Sequence, residues 1–220
     1  MSDPVSVHSR RSTALGRERD ARICWLLSMH PVTAAMLVRL GWFPTRKKAR
    51  KRLLRLAERR RIRLVGTVCR KVGRPEHVYC RYQPAVSQLL HEVQLTELCL
   101  RIDAGTILRG PEATDERVRP DAEMRINGQL YYLELDRATM GYRQIESRFR
   151  LYEQCPHLSL WVCSTQQRRE GLRTRAGRLY ATALFTTFAE AMASPHGEIW
   201  WDFAGGKAAL PREEGRKGEI

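Results

Sequence analysis

The chain has 220 residues, 43% of them hydrophobic, and carries 39 Lys and Arg against 24 Asp and Glu, a formal charge of +15. That size suits one large or two small domains with real cores, and that charge favours a polyanionic partner such as nucleic acid or an anionic membrane surface. No apolar run approaches the roughly 20 residues of a spanning helix and no signal-peptide core opens the chain, so no membrane partner and a cytoplasmic location are expected.

Residues 1–19 are polar and basic, with Arg10, Arg11, Arg17 and Arg19 and little apolar periodicity, and are expected to form a flexible arm. From Asp20 the spacing of Ile23, Leu26 and Leu27 predicts a helix that stops before Pro31. Thr33 is a candidate cap for a second helix carrying Met36, Leu37 and Leu40 and ending at Gly41. A third helix is predicted over about 45–60, with Ala49, Leu53, Leu56 and Ala57 as its apolar stripe. Its remaining faces are crowded with Arg46, Lys47, Lys48, Arg50, Lys51, Arg52, Arg55 and Arg59, whose mutual repulsion disfavours the helix unless a polyanion neutralises them.

Two strands are predicted next, about 62–69 and 77–82, joined by the turn-rich Lys71-Val72-Gly73-Arg74-Pro75-Glu76. Three helices followed by a two-stranded ribbon look like a winged helix-turn-helix, whose third helix enters the major groove and whose wing tip touches backbone or minor groove. In that arrangement Arg46, Lys47, Lys48, Arg50 and Lys51 become candidates for groove and phosphate contacts with double-stranded DNA, with Lys71 and Arg74 on the wing. The six cysteines have no two-residue spacing and mostly sit in apolar runs, so they are expected to be reduced packing residues.

A helix rich in Leu and Val is predicted from Pro84 to about Ile102, bridging the two halves, followed by a loop over 103–117 with Gly105, Gly110 and Pro111. Asn127-Gly128 then supplies the strongest short hairpin signal in the chain. A two-residue turn there sets Ile126 opposite Gln129, Met124 opposite Tyr131 and Ala122 opposite Leu133, a mostly apolar face. On the other face Asp121 lies across from Glu134, and Asp136 follows on the same side. Opposed like charges need a partner: a divalent cation is one candidate, and arginines such as Arg119, across from Asp136, or Arg125 are another.

Beyond the hairpin the pattern predicts a helix over 140–153, a strand over 158–163, a helix over about 166–179, a strand over 182–187, a short helix over 188–193 and a strand over 198–203. Alternation of this kind implies a mixed sheet flanked by helices. A tail from Ala204, rich in Gly, Lys and Glu, is expected to be disordered. The expected organisation is therefore an arm (1–19), a DNA-binding module (20–83), a connector (84–117), a sheet domain (118–203) and a tail (204–220).

Residues 20–203 resemble the bacterial replication-relaxation family of plasmids, integrative elements and phages. The resemblance is carried by the basic helical segment, Arg119-Pro120-Asp121, Tyr132-Leu133-Glu134-Leu135-Asp136-Arg137-Ala138-Thr139, Arg148-Phe149-Arg150-Leu151-Tyr152, Trp161-Val162-Cys163-Ser164-Thr165 and Gly197-Glu198-Ile199-Trp200. It implies an α+β chain: a winged helix-turn-helix followed by a restriction-endonuclease-like mixed sheet, the fold in which a Pro-Asp strand and a Glu-x-Lys strand hold a catalytic divalent ion. Asp121 and Glu134 map onto the two acids. The lysine position two residues after Glu134 is Asp136, and the nearby cation is Arg148 on the next helix. Lysine can shift its pKa to help a proton transfer, whereas arginine stays protonated and only stabilises charge.

The expected function is that of a DNA-binding accessory protein of a mobile element, acting in replication, relaxation, transfer or their regulation. One alternative is a Mg²⁺-dependent endonuclease or nickase with Asp121, Glu134 and Asp136 as metal ligands and Arg148 completing the catalytic set. Another is a module that recruits a relaxase or recombinase.

Overall fold

The computed structural model describes residues 5–69, 74–102, 106–108, 118–176 and 182–212; of these, 5–15 and 106–108 are described by backbone alone. The chain divides into two compact units, Met1–Thr96 and Glu97–Glu219.

The first unit runs α1 (Val5–Met29), β1 (Val32–Thr33), α2 (Ala34–Arg39), α3 (Arg46–Glu58), β2 (Arg63–Val68) and β3 (Glu76–Cys80). Both predicted strands are present and antiparallel, and β1 adds a third, giving the order β1-β3-β2. Helix α2 starts on a capping box in which the Thr33 hydroxyl accepts from the Met36 N–H at 3.4 Å and the Met36 sulfur accepts from the Thr33 N–H. Thr45 caps α3 in the same way, accepting from the Lys48 N–H at 3.3 Å. Ile23, Leu27, Leu37, Ala49, Leu53 and Val78 are fully buried, so the predicted stripes do face a core.

One boundary differs from expectation. The arm expected over 1–19 is helical from Val5, as the start of α1. No proline interrupts residues 5–29, and Ala14, Leu15, Arg17, Glu18 and Arg19 are good helix formers, so a helix nucleated by the packed Ile23–Leu27 turn propagates backwards without needing apolar periodicity.

Helix α4 (Leu89–Ile102) leads from the first unit into the second. The second unit continues with β4 (Thr106–Leu108), β5 (Ala122–Ile126), β6 (Gln129–Asp136), α5 (Tyr142–Glu153), β7 (Leu158–Cys163), α6 (Gln166–Ala176), β8 (Ala183–Thr187), α7 (Phe188–Ala193), β9 (Trp200–Trp201) and β10 (Lys207–Ala208). Among the described residues these strands form a seven-stranded mixed sheet, order β10-β9-β8-β7-β6-β5-β4. The centre, β6-β7-β8, is parallel and the flanks are antiparallel. The architecture is mixed α and β.

The hairpin register is the one that Asn127-Gly128 predicts: Ala122 pairs with Leu133, Met124 with Tyr131 and Ile126 with Gln129. Both turn residues have positive φ, 48° and 77°, as a type I′ turn requires. Helices α5 and α6 make the two crossovers between parallel strands. Ile145, Phe149, Tyr152, Leu172 and Ala176 from these helices form one core cluster with Leu130, Tyr132, Trp161, Cys163 and Phe185 from the strands. Rings meet edge to face there, Phe149 and Trp161 at 4.8 Å and Tyr152 and Trp161 at 5.8 Å between centroids.

Three further expectations are corrected. Within the expected loop 103–117, Thr106–Leu108 is a strand on β5, extending the hairpin's edge; the rest of that stretch lies outside the described residues. The expected strand over 198–203 is only Trp200–Trp201. The expected disordered tail instead begins with β10 on β9, a buried Leu210, and a carbonyl at Arg212 that accepts from the Asn127 side chain at 2.9 Å. Residues 213–220 lie outside the described residues.

Candidate functional site

In the first unit, Ala49, Leu53 and Leu56 turn one stripe of α3 inward, and this fixes where its cations point. Arg46, Lys47, Lys48, Arg50, Lys51 and Arg55 are all exposed. The first turn of α3 contains no acidic residue and opens with three consecutive cations, so the positive end of the helix dipole and the side chains repel one another. An anion at that end relieves both. Arg46 is 3.4 Å from Glu76 while its side chain stays 73% exposed, and Arg74 is exposed just before β3. Lys71 lies outside the described residues.

Arg52 belongs to the interior rather than to this face. Its Nε lies 2.5 Å from Asp20 Oδ1, Nη2 binds Asp20 Oδ2, and the Asp20 side chain is only 4% exposed. The pair ties α3 to α1.

In the second unit the acidic face of the hairpin is also the face that α5 and α6 cover, so Glu134 and Asp136 are buried and Asp121, at its edge, is half-buried. Glu134 and Asp136 are each 2% exposed. Asp121 sits just ahead of β5, and its Oδ2 accepts from the Leu135 N–H at 2.8 Å. Glu134 Oε1 accepts from both the Arg148 guanidinium and the Tyr152 hydroxyl. Arg148 Nη2 also donates to the Arg119 carbonyl at 3.1 Å. Burial raises the pKa of Glu134 well above the usual carboxylate range; the Asp121 and Asp136 carboxylates add to the rise, and Arg148 and the Tyr152 hydrogen bond oppose it. Burial likewise pushes the Tyr152 phenol upward, with Glu134 contributing.

Asp136 has a different partner from the one its register suggested. Arg119 lies across from it in sequence register, but Arg168 of α6 takes it, Nε to Oδ2 at 2.6 Å and Nη2 to Oδ1 at 3.2 Å. Asp136 Oδ1 also accepts from the Ala138 N–H at 3.2 Å. Arg168 is held in place by the Met140 carbonyl at 2.8 Å and by the Tyr142 ring, which Arg175 also approaches. Arg125, the other arginine considered, is exposed.

The structure therefore brings Asp121, Glu134 and Arg148 together and binds Asp136 to Arg168. Tyr152, Arg168 and the buried Glu123 were absent from the predicted set. Tyr152 was findable, four residues after Arg148 on the same face of α5. So was Arg168: it shares the buried stripe of Leu172 and Ala176 at helical spacing, and an arginine on such a stripe needs a buried acid.

A divalent cation is a poor fit to these side chains as arranged. Glu134 Oε1 is taken by two protein donors, both Asp136 oxygens by a guanidinium and an amide, and Asp121 Oδ2 by an amide. Among the described residues no group of three or more His, Cys, Asp or Glu gathers as a ligand set. Comparisons with protein-family models, with curated proteins and with solved structures find no match to the chain. No described helix is long and apolar enough to cross a membrane.

Proposed function

We propose that the protein binds double-stranded DNA through a winged helix-turn-helix in its first unit, as an accessory protein of a bacterial mobile element. The observation that carries this reading is the outward basic face of α3, where Arg46, Lys47, Lys48, Arg50 and Lys51 cluster at the end of the helix that attracts anions. The β2–β3 ribbon, with Arg74 exposed beside β3, supplies the wing. The sequence resemblance supplies the mobile-element setting and reads the second unit as a nuclease-derived scaffold.

Fluorescence anisotropy with a labelled duplex tests it. Affinity falls steeply as salt rises, with a slope of about −0.9 per phosphate neutralised. A flat salt response sinks the proposal.

The second reading, a metal-dependent endonuclease or nickase, draws on the meeting of Asp121 and Glu134 on one face, and the protein donors already on Glu134 and Asp136 count against it. Supercoiled plasmid incubated with the protein and Mg²⁺ or Mn²⁺ distinguishes the two. Relaxation above that of an Asp121→Ala control supports cleavage, and its absence leaves DNA binding alone.

A further inference from the structure

We propose that Arg148 stands in the place of a divalent cation, so that the acidic hairpin of the second unit is closed to metal by one of its own side chains. This inference rests on reading that unit as a nuclease-derived scaffold and adds what became of its acidic site.

The argument starts from charge. Asp121 and Glu134 face each other across the hairpin, and like charges so placed need a cation between or beside them. Arg148 supplies it: its guanidinium binds Glu134, feels the Asp121 carboxylate and is bonded to the Arg119 carbonyl one residue before Pro120. One group thus spans the Arg119–Asp121 segment and β6, the two segments that carry Asp121 and Glu134.

Arginine suits this role in a way that lysine does not. It keeps its proton, and its planar fork offers several donors in fixed directions. The guanidinium is also held from behind. Phe149, next to it on α5, is fully buried in the core, and Tyr152, one turn on, donates to the same Glu134 oxygen. A cation entering here has to displace a positive charge, compete with a phenol and leave the Arg119 carbonyl without its donor. The neighbouring carboxylate offers no second route, because Asp136 is held bidentately by Arg168.

Metal binding by the full chain tests this without reference to cleavage. In Mn²⁺ titrations followed by the EPR signal of free ion, wild type and Asp121→Asn should bind equally, with no site of their difference. Arg148→Ala and Arg148→Met should each gain one site, with a Kd on the order of 10⁻⁴–10⁻³ M as for weakly built carboxylate sites, that is lost when Asp121→Asn is added. Mn²⁺ should also raise the Tm of the Arg148 variants and not that of wild type, and EDTA should reverse the rise.

A wild-type site that Asp121→Asn removes overturns the inference while leaving the nuclease-derived reading intact. Folded Arg148 variants that gain no site overturn both. The wild-type comparison needs no Arg148 variant, so it can overturn the inference even if both variants fail to fold.

Discussion

Arg168 and Asp136 form a bidentate ion pair in the interior of the second unit, Nε to Oδ2 at 2.6 Å and Nη2 to Oδ1 at 3.2 Å, with side chains 10% and 1% exposed. It joins the first turn of α6 to the end of β6, where the sheet changes from hairpin to parallel crossover. Removing one partner leaves a buried charge alone. Arg168→Met should destabilise the protein by about 3 kcal/mol, and adding Asp136→Asn should recover part of that loss. Urea denaturation of Arg168→Met, Asp136→Asn and the double variant measures both. Full additivity of the two substitutions contradicts the coupling.

Glu134 predicts an unusual pH dependence. Its pKa in the folded protein is raised, chiefly by burial and then by Asp121. Between the unfolded value, near the usual glutamate range, and the raised folded value, the native state holds a proton that the unfolded chain has released. Stability therefore falls as pH rises through that window. Glu134→Gln removes this proton from both states, so the stability difference between wild type and variant should shift against wild type as pH rises from about 4.5, the opposite of an ordinary salt-bridged glutamate. Denaturation midpoints at a series of pH values give the slope, and a difference that moves in favour of wild type contradicts the raised pKa.

Three consecutive cations on α3 should separate binding from folding. Arg50 and Lys51 are exposed, whereas Arg52 is bound to Asp20. Arg50→Ala with Lys51→Ala should leave the unfolding midpoint nearly unchanged and reduce the salt slope of DNA binding by about 2. Arg52→Ala should instead cost roughly 1–3 kcal/mol of stability, because Asp20 is left buried without its guanidinium. Anisotropy and thermal melts on the same preparations check the contrast. Equal effects of both changes on stability would mean that the exposed pair also holds the fold.

The parts of this fold that could be read from the residues are those governed by local rules. Asn127-Gly128 determines a turn type, the turn determines the register, and the register places Asp121 opposite Glu134. Periodicity of 3.6 locates α2, α3 and α5 because each buries one stripe. What escaped was non-local or too short to show a period. Arg168 reaches Asp136 through a β-α-β-α connection, so no spacing between them carries the pairing. The strands β4 and β10 have three and two residues and exist because a sheet edge was there to accept them, and of the strand expected over 198–203 only Trp200–Trp201 forms. The start of α1 depends on propensity rather than apolar pattern, and so read as an arm.

The turn that organises the acidic site can be tested at a single atom. Gly128 has φ +77°, a conformation that an L side chain adopts only with strain, yet a Cβ built on it meets nothing within 4 Å. Any penalty for Gly128→Ala is then conformational rather than steric, about 1–2 kcal/mol for an alanine forced left-handed. The effect should be confined to stability, because the register is also held by the apolar pairs Ala122–Leu133 and Met124–Tyr131 on the hairpin's other face, all of them buried. Gly128→Asn should cost less than Gly128→Ala, since asparagine tolerates the left-handed region and alanine has no such allowance. Chemical denaturation of the two variants ranks them. If alanine proves as stable as glycine, the turn has relaxed out of type I′ while the buried apolar pairs keep the register.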